Sequence, residues 1–149
     1  NDGRTATQLQ KSRKISRIYR IKVKGHPSHQ SLEKLRRGGT VEGRLHSPVK
    51  VKLKKKYQNK SLIEVVFMGM GQLEIRRFFQ SKGFQVERVI RHSIGGVSLV
   101  NLPAGAFRAI TPSELKVLTD APETAYPRSL SPDSPPKAKP PRKKSFKKA

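Results

Sequence analysis

Apolar side chains recur along this chain with a period of two in some segments and with a helical period in others. In residues 18–24, IYRIKVK, every second residue is apolar, at Tyr19, Ile21 and Val23. The residues between them are basic. A period of two predicts a β-strand whose successive side chains point to opposite faces. We therefore expect a strand with one face in the core and one basic face toward solvent.

The segment 68–91 contains a helical pattern followed by a strand pattern. Ile75, Phe78 and Phe79 have the i, i+3, i+4 spacing of one apolar helix face. Gly83 suits the left-handed position after a helix C-terminus. Residues 84–91 then alternate loosely, and we expect one side of this strand to be apolar and inward. That side comprises Phe84, Val86 and Ile90, and the opposite side comprises Gln85, Glu87 and Arg91.

Weaker patterns predict the remaining elements. Ser28 favours the start of a helix that ends near residue 37 with Leu32 and Leu35 buried, and residues 61–67 read as a central strand. Thr111 and Glu114 form a capping box for a last helix. The other predictions are a short helix at 5–10, short strands and a loop in 40–56, brief strands at 97–100 and 107–110, and Leu115 and Leu118 as inward residues of the last helix.

This order predicts an α+β domain, with packed helices on a mixed, mostly antiparallel sheet, over residues 1–118. The proline- and lysine-rich residues 119–149 predict a disordered basic tail.

Charge narrows the class of partner. The chain of 149 residues carries a formal net charge of +23 and has a pI of about 11.1. Such an excess favours a polyanionic partner, of which nucleic acid is the commonest. No apolar run is long enough to span a membrane, and the absence of cysteine excludes disulfides and thiolate metal sites. The four histidines lack a metal-ligand spacing, so we expect no metal site among them. We also expect Glu64 and Glu74, the acidic residues near the 68–91 segment, to be exposed.

Four segments in order resemble the ribosomal RNA pseudouridine synthases, in particular the branch that modifies the small subunit and its large-subunit relatives. Residues 17–25, RIYRIKVKG, are similar to the basic-x-Tyr-x-Val-x-Val-x-Gly strand of that family. Residues 32–43 are similar to its next helix and glycine turn, and residues 71–79 to its arginine motif. Residues 83–91 with Gly95 and Leu102-Pro103-x-Gly105 are similar to its closing signature. The resemblance covers about two thirds of the chain, and it implies the C-terminal part of a catalytic domain.

The resemblance implies cofactor-free isomerisation of a uridine, with an aspartate as nucleophile and a flipped-out target base. It assigns base contact to Tyr19 and pairing with the aspartate to Arg76. It also assigns phosphate contacts, which position RNA rather than read its sequence, to Arg77, Arg88, Arg91, Lys22 and Lys24. It implies a monomer that binds RNA, with no membrane partner, in the cytoplasm or in an organelle matrix of bacterial descent.

The first three residues, Asn1-Asp2-Gly3, match the end of the family's strand that follows its Gly-Arg-Leu-Asp motif. We therefore expect a fragment that starts after the catalytic aspartate, so that Asp2 is not the nucleophile. The arginine motif departs from the family at Gly71, Leu73 and Glu74, where positively charged or amide residues are usual. These departures favour an alternative hypothesis, in which the chain is a degenerate relative that binds RNA without catalysis.

Overall fold

A five-stranded antiparallel sheet with helices packed on one face forms the centre of the computed structural model, which describes residues 2–120. The helices are α1 (Gly3–Lys11), α2 (His29–Arg36), α3 (Gln72–Ser81) and α4 (Pro112–Asp120). The strands are β1 (Ser16–Lys24), β2 (Gly39–Val41), β3 (Arg44–His46), β4 (Lys50–Lys56), β5 (Lys60–Met68), β6 (Val86–Ile94) and β7 (Val97–Ser98). The main sheet has the order β4-β5-β1-β6-β7, and β2 and β3 form a separate hairpin. The expected α+β class is confirmed, while the predicted tail lies almost wholly outside the described residues.

The strand β1 lies at the centre of the sheet, between β5 and β6. Residues 61–67, which we expected to form a central strand, lie in β5, an interior strand that pairs with β1 and β4. In β1 the predicted alternation is confirmed, since Tyr19, Ile21 and Val23 are fully buried. Their face of the sheet packs against the apolar residues of α2 and α3. The core contains Leu32, Leu35, Ile63, Val65, Phe67, Ile75, Phe78 and Phe79 among others.

Two irregularities in the pairing of β1 with β6 change which side chains of β6 face the core. The register shifts between Ile18 and Tyr19 and again between Lys22 and Val23. An extra residue in one strand reverses the facing of every side chain beyond it. The shift between Lys22 and Val23 leaves Glu87 without a pairing partner in β1. As a result Val89 is buried and Ile90 is 40% exposed, so the prediction that Ile90 faces the core is wrong. Arg91 is paired with Tyr19 and lies on the same face as Tyr19, not with Gln85 and Glu87 as predicted.

The region after β6 contains less regular structure than the sequence predicts. Residues 107–110 form no strand, and Phe107 is 95% exposed. An extended segment becomes a strand only where a neighbouring strand accepts its hydrogen bonds, and residues 107–110 pair with none of the described strands. The capping box of α4 is confirmed, because Glu114 accepts from the Thr111 amide at 3.0 Å. Of its two predicted inward residues, Leu118 is buried and Leu115 is 44% exposed.

Gly69 fixes the connection between β5 and α3. Its φ is +64°, and a Cβ atom at this position would lie 2.2 Å from the Arg13 Cα. Its amide donates to the Ile15 carbonyl at 3.0 Å. Only a residue without a side chain fits this approach, so the turn before α3 is held against the segment that enters β1. This contact places α3 beside Tyr19.

Candidate functional site

Tyr19 lies where the centre of the sheet meets the start of α3. Its ring is fully buried, and its hydroxyl donates to the Met70 carbonyl at 2.6 Å. The strand alternation turns Tyr19 toward the helices, and the Gly69 turn brings Met70 over it. A base can therefore reach the ring only if the surrounding residues open locally.

Two arginines surround the Tyr19 hydroxyl. Burial raises the pKa of Tyr19, while the positive charges of Arg17 and Arg91 oppose that rise by favouring the phenolate. Arg91 is placed there by direct pairing of β6 with β1. The arrangement joins one phenol to two guanidinium groups, which is a suitable environment for a carboxylate or a phosphate.

Arg17 is almost completely buried, at 3% exposed. Its Nη2 donates to the carbonyls of Leu9, Gln10 and Ser12 at 2.8–3.2 Å, which lie at the C-terminal end of α1. A cation there also interacts favourably with the helix dipole. Its Nε is buried without a hydrogen-bond partner, so one donor of this guanidinium remains unsatisfied beside the Tyr19 site.

Helix α3 directs two polar side chains toward the backbone of β6. Gln72 donates to the Val89 carbonyl at 2.8 Å, and Arg76 donates to the Val86 carbonyl at 3.3 Å. The two residues are one turn apart on the same helix face. Arg76 is half-buried and has no carboxylate partner among residues 2–120, so most of its donors are not committed to a side chain.

The predicted phosphate contacts lie on different surfaces. Arg77 extends from α3 to Glu42 of the β2–β3 connection, with which it forms an ion pair. Arg91 lies beside Tyr19, whereas Lys22 and Arg88 face each other across β1 and β6 on the opposite face of the sheet. Lys24 is exposed at the end of β1. The structure therefore brings together Tyr19 and Arg91 on one face and Lys22 and Arg88 on the other, and it tests the role of none of them.

The carboxylates of Asp2 and Glu64 lie in different environments. Asp2 caps α1 by accepting from the Arg4 amide at 3.0 Å, which commits its carboxylate to the helix. Glu64 is only 5% exposed, so the expectation that it is exposed is wrong. It lies on the face of the sheet opposite Tyr19, where it pairs with Arg20 and Lys54.

Three residues of interest were not identified from the sequence. Arg17 is the basic residue of the tyrosine-strand motif, so its position could have been found by the same argument. Gln72 follows Gly71 at the start of α3, and nothing in the sequence indicates its bond to β6. Tyr57 lies in the segment KKKYQNK, where an aromatic residue among lysines is a signal for nucleic-acid binding. Within the described range, no helix is long and apolar enough to cross a membrane, and residues 2–120 hold no cluster of acidic or imidazole side chains that could bind a metal.

Sequence comparison finds similarity to RNA pseudouridine synthases. The chain is 33% identical over 121 residues to the ribosomal large subunit pseudouridine synthase B of Bacillus subtilis, covering 79% of this chain and 50% of that protein. It is 30% identical over 118 residues to an uncharacterized RNA pseudouridine synthase of Rickettsia bellii, covering 74% of this chain and 48% of that protein. The chain thus spans about half the length of these relatives. No family model matches it.

Structure comparison agrees with the sequence comparison. A crystal structure of a pseudouridylate synthase superposes with a TM-score of 0.62 at 19% identity, covering 78% of this chain and 51% of that one. At this identity the match shows a shared fold. The α+β architecture described above is therefore the architecture of that enzyme over about half its length.

Proposed function

This chain belongs to the RNA pseudouridine synthase family, and we propose that it supplies the tyrosine and arginine part of a catalytic domain that isomerises a uridine in ribosomal RNA. The observation that carries the proposal is the buried Tyr19 hydroxyl with Arg17 and Arg91 beside it, at the start of the helix that holds Arg76. The similarity to relatives named as ribosomal large subunit enzymes supports ribosomal RNA as the substrate.

In this proposal the nucleophilic aspartate comes from outside the 149 residues. An ionised carboxylate that approaches α3 would meet the uncommitted donors of Arg76. Guanidinium groups stabilise the charged form of a carboxylate and hold it in a fixed orientation. Arg76 is then the aspartate's partner, and Tyr19 contacts the target base after local opening of the residues around its ring.

The test measures pseudouridine in ribosomal RNA treated with the protein made from the complete reading frame. We expect Arg76→Ala to abolish product formation, because the carboxylate loses its partner. Arg36→Ala is the matched control, since Arg36 is an exposed arginine at the end of α2, and we expect it to retain activity. Full activity of Arg76→Ala would refute the role of Arg76.

A second candidate function is RNA binding without isomerisation. Glu74 favours it, because its carboxylate accepts from the Gly71 amide at 2.6 Å and so places negative charge at the start of α3. This candidate predicts salt-dependent binding of ribosomal RNA by the complete protein with no pseudouridine formed at any enzyme concentration. Formation of product in that assay would exclude it.

A further inference from the structure

A row of cations crosses the face of the sheet opposite Tyr19. Lys22 is paired directly with Arg88 of β6 on one side and with Leu62 of β5 on the other. Leu62 is in turn paired with Lys55 of the edge strand β4. Strands in a sheet are about 4.8 Å apart, so the row from Lys55 to Arg88 spans roughly 14 Å.

The Tyr57 ring lies against two lysines of this row. The Tyr57 amide donates to the Lys60 carbonyl at 2.8 Å, which places the ring at the turn between β4 and β5. The Nζ atoms of Lys22 and Lys55 lie 5.3 and 5.2 Å from the ring centroid. The ring is 41% exposed. It forms one wall of a concave site of about 300 Å³, lined by Arg20, Lys22, Tyr57, Leu62, Arg88 and Ile90.

The nearby carboxylates are committed to other cations. Glu64 pairs with Arg20 at 3.1 Å and with Lys54 at 3.6 Å, and Glu87 pairs with Lys60 at 2.9 Å. Within residues 2–120, Lys22, Lys55 and Arg88 have no carboxylate partner.

Like charges directly opposite each other on paired strands destabilise a sheet, so the pairing of Lys22 with Arg88 works against folding. A bound anion between them would remove that repulsion. The row therefore has the electrostatic character of a binding surface rather than of a structural feature.

The site also offers apolar surface. Leu62 and Ile90 line the same site as the Tyr57 ring, and Ile90 is 40% exposed on this face. An acidic peptide would use the cations and would leave this apolar surface without a role. A nucleotide uses both, because its base stacks on an aromatic ring while its phosphate binds the cations.

We propose that this outer-face site binds a nucleotide of single-stranded RNA, with the base against Tyr57 and a phosphate between Lys22 and Arg88. When a base stacks on the Tyr57 ring, one of the two lysine ammonium groups beside that ring moves to the adjoining phosphate. The site is a second RNA contact, separated from Tyr19 by the thickness of the sheet, and it rests on the proposed function in taking RNA as the partner. It would hold a strand that flanks the target uridine.

The first experiment uses the absence of tryptophan from this sequence. Tyr57→Trp introduces a single indole, and a base that stacks on it quenches its fluorescence. We expect saturable quenching by an eight-nucleotide oligouridine. Phe107→Trp is the matched control, because Phe107 is 95% exposed and does not line the site, and we expect little quenching there. Equal quenching of the two variants would overturn a specific site.

The second experiment separates the base from the phosphate. By alanine substitution a stacked base contributes about 1–3 kcal/mol, which corresponds to a loss of affinity of roughly 5- to 150-fold. We expect that loss for Tyr57→Ala and near-parent affinity for Tyr57→Phe. Arg88→Gln should lower the slope of log affinity against log salt by about 0.7, whereas Lys34→Gln, which removes an exposed charge on α2, should leave it nearly unchanged.

Arg88→Gln should also raise the thermal unfolding temperature at low salt, since it removes the repulsion with Lys22. A protein that gains stability while losing RNA affinity cannot have lost affinity by misfolding.

Polyaspartate competing as well as oligouridine at equal charge would overturn nucleotide recognition. If the parent chain binds RNA and the Tyr57 and Arg88 variants bind it equally well, only this inference fails. If the protein made from the complete reading frame neither binds RNA nor forms pseudouridine, the proposed function fails as well.

Discussion

The buried carboxylate of Glu64 gives a quantitative prediction of stability. Glu64 is 5% exposed, and its two oxygens contact Arg20 Nε at 3.1 Å and Lys54 Nζ at 3.6 Å. It lies directly opposite Arg20 in one strand pair and opposite Lys52 in the other. The change Glu64→Gln keeps the shape of the side chain and removes its charge. It leaves several cations on one face without the anion between them.

The expected loss of unfolding free energy depends on how deeply Glu64, Arg20 and Lys54 are buried. Hydrogen bonds to charged groups contribute about 1.5–3 kcal/mol, and breaking a fully buried ion pair costs about 3–5 kcal/mol. Arg20 and Lys54 are 37% and 33% exposed, so water compensates part of their charge. We therefore expect Glu64→Gln to lower the free energy of unfolding by about 2 kcal/mol, toward the lower of these two ranges.

Urea unfolding followed by circular dichroism measures this change. The matched control is Glu33→Gln on α2, where the carboxylate is 40% exposed and pairs with Arg36 at the surface. Such a pair contributes about 0.3–0.5 kcal/mol. A loss for Glu64→Gln no larger than the loss for Glu33→Gln would refute the reasoning, because Glu64 would then behave as a surface residue.

Two further predictions concern the turn before α3 and the start of α4. Gly69→Ala should lower the free energy of unfolding by well over the roughly 1–2 kcal/mol of a left-handed residue, because its Cβ would collide with Arg13. Gly43→Ala, at φ +76° with nothing within 4 Å, should lose only that amount, and equal losses in urea unfolding would contradict the close approach. Hydrogen bonds from Arg108 lower the pKa of Glu114 to about 2, so its contribution to α4 is complete above pH 4.5 and is lost as the pH falls through about 2. The helical NMR shifts of α4 should weaken over that window in the parent chain and be independent of pH there in Glu114→Gln.

Local sequence patterns were sufficient to predict the helices and the central strand β1. The spacing of Ile75, Phe78 and Phe79 and the alternation of Tyr19, Ile21 and Val23 each depend on one element burying one face. The capping box at Thr111 is likewise a contact between neighbours in sequence. These features require no knowledge of which element lies beside which, and the structure confirms them.

The pairing register of β1 with β6 could not be predicted from the sequence. The two shifts between β1 and β6 depend on how the strands meet, and the one between Lys22 and Val23 places Ile90 outward and Arg91 beside Tyr19. The absence of a strand at 107–110 has a similar origin, since it depends on a pairing partner. The expectation for Glu64 failed because its burial results from Arg20 and Lys54, which approach it from two different strands.

For the candidate sites, the residue types follow from the sequence, whereas their grouping depends on the tertiary structure. The motifs identified Tyr19, Arg76 and the basic residues as a set that suits RNA, because charge and aromatic character are properties of the residues. Only the fold divides that set between the Tyr19 face and the outer face, where Lys22 and Arg88 meet below Tyr57. The division arises because neighbouring residues in a strand point to opposite sides of a sheet, and because the residues that share a side come from strands distant in sequence.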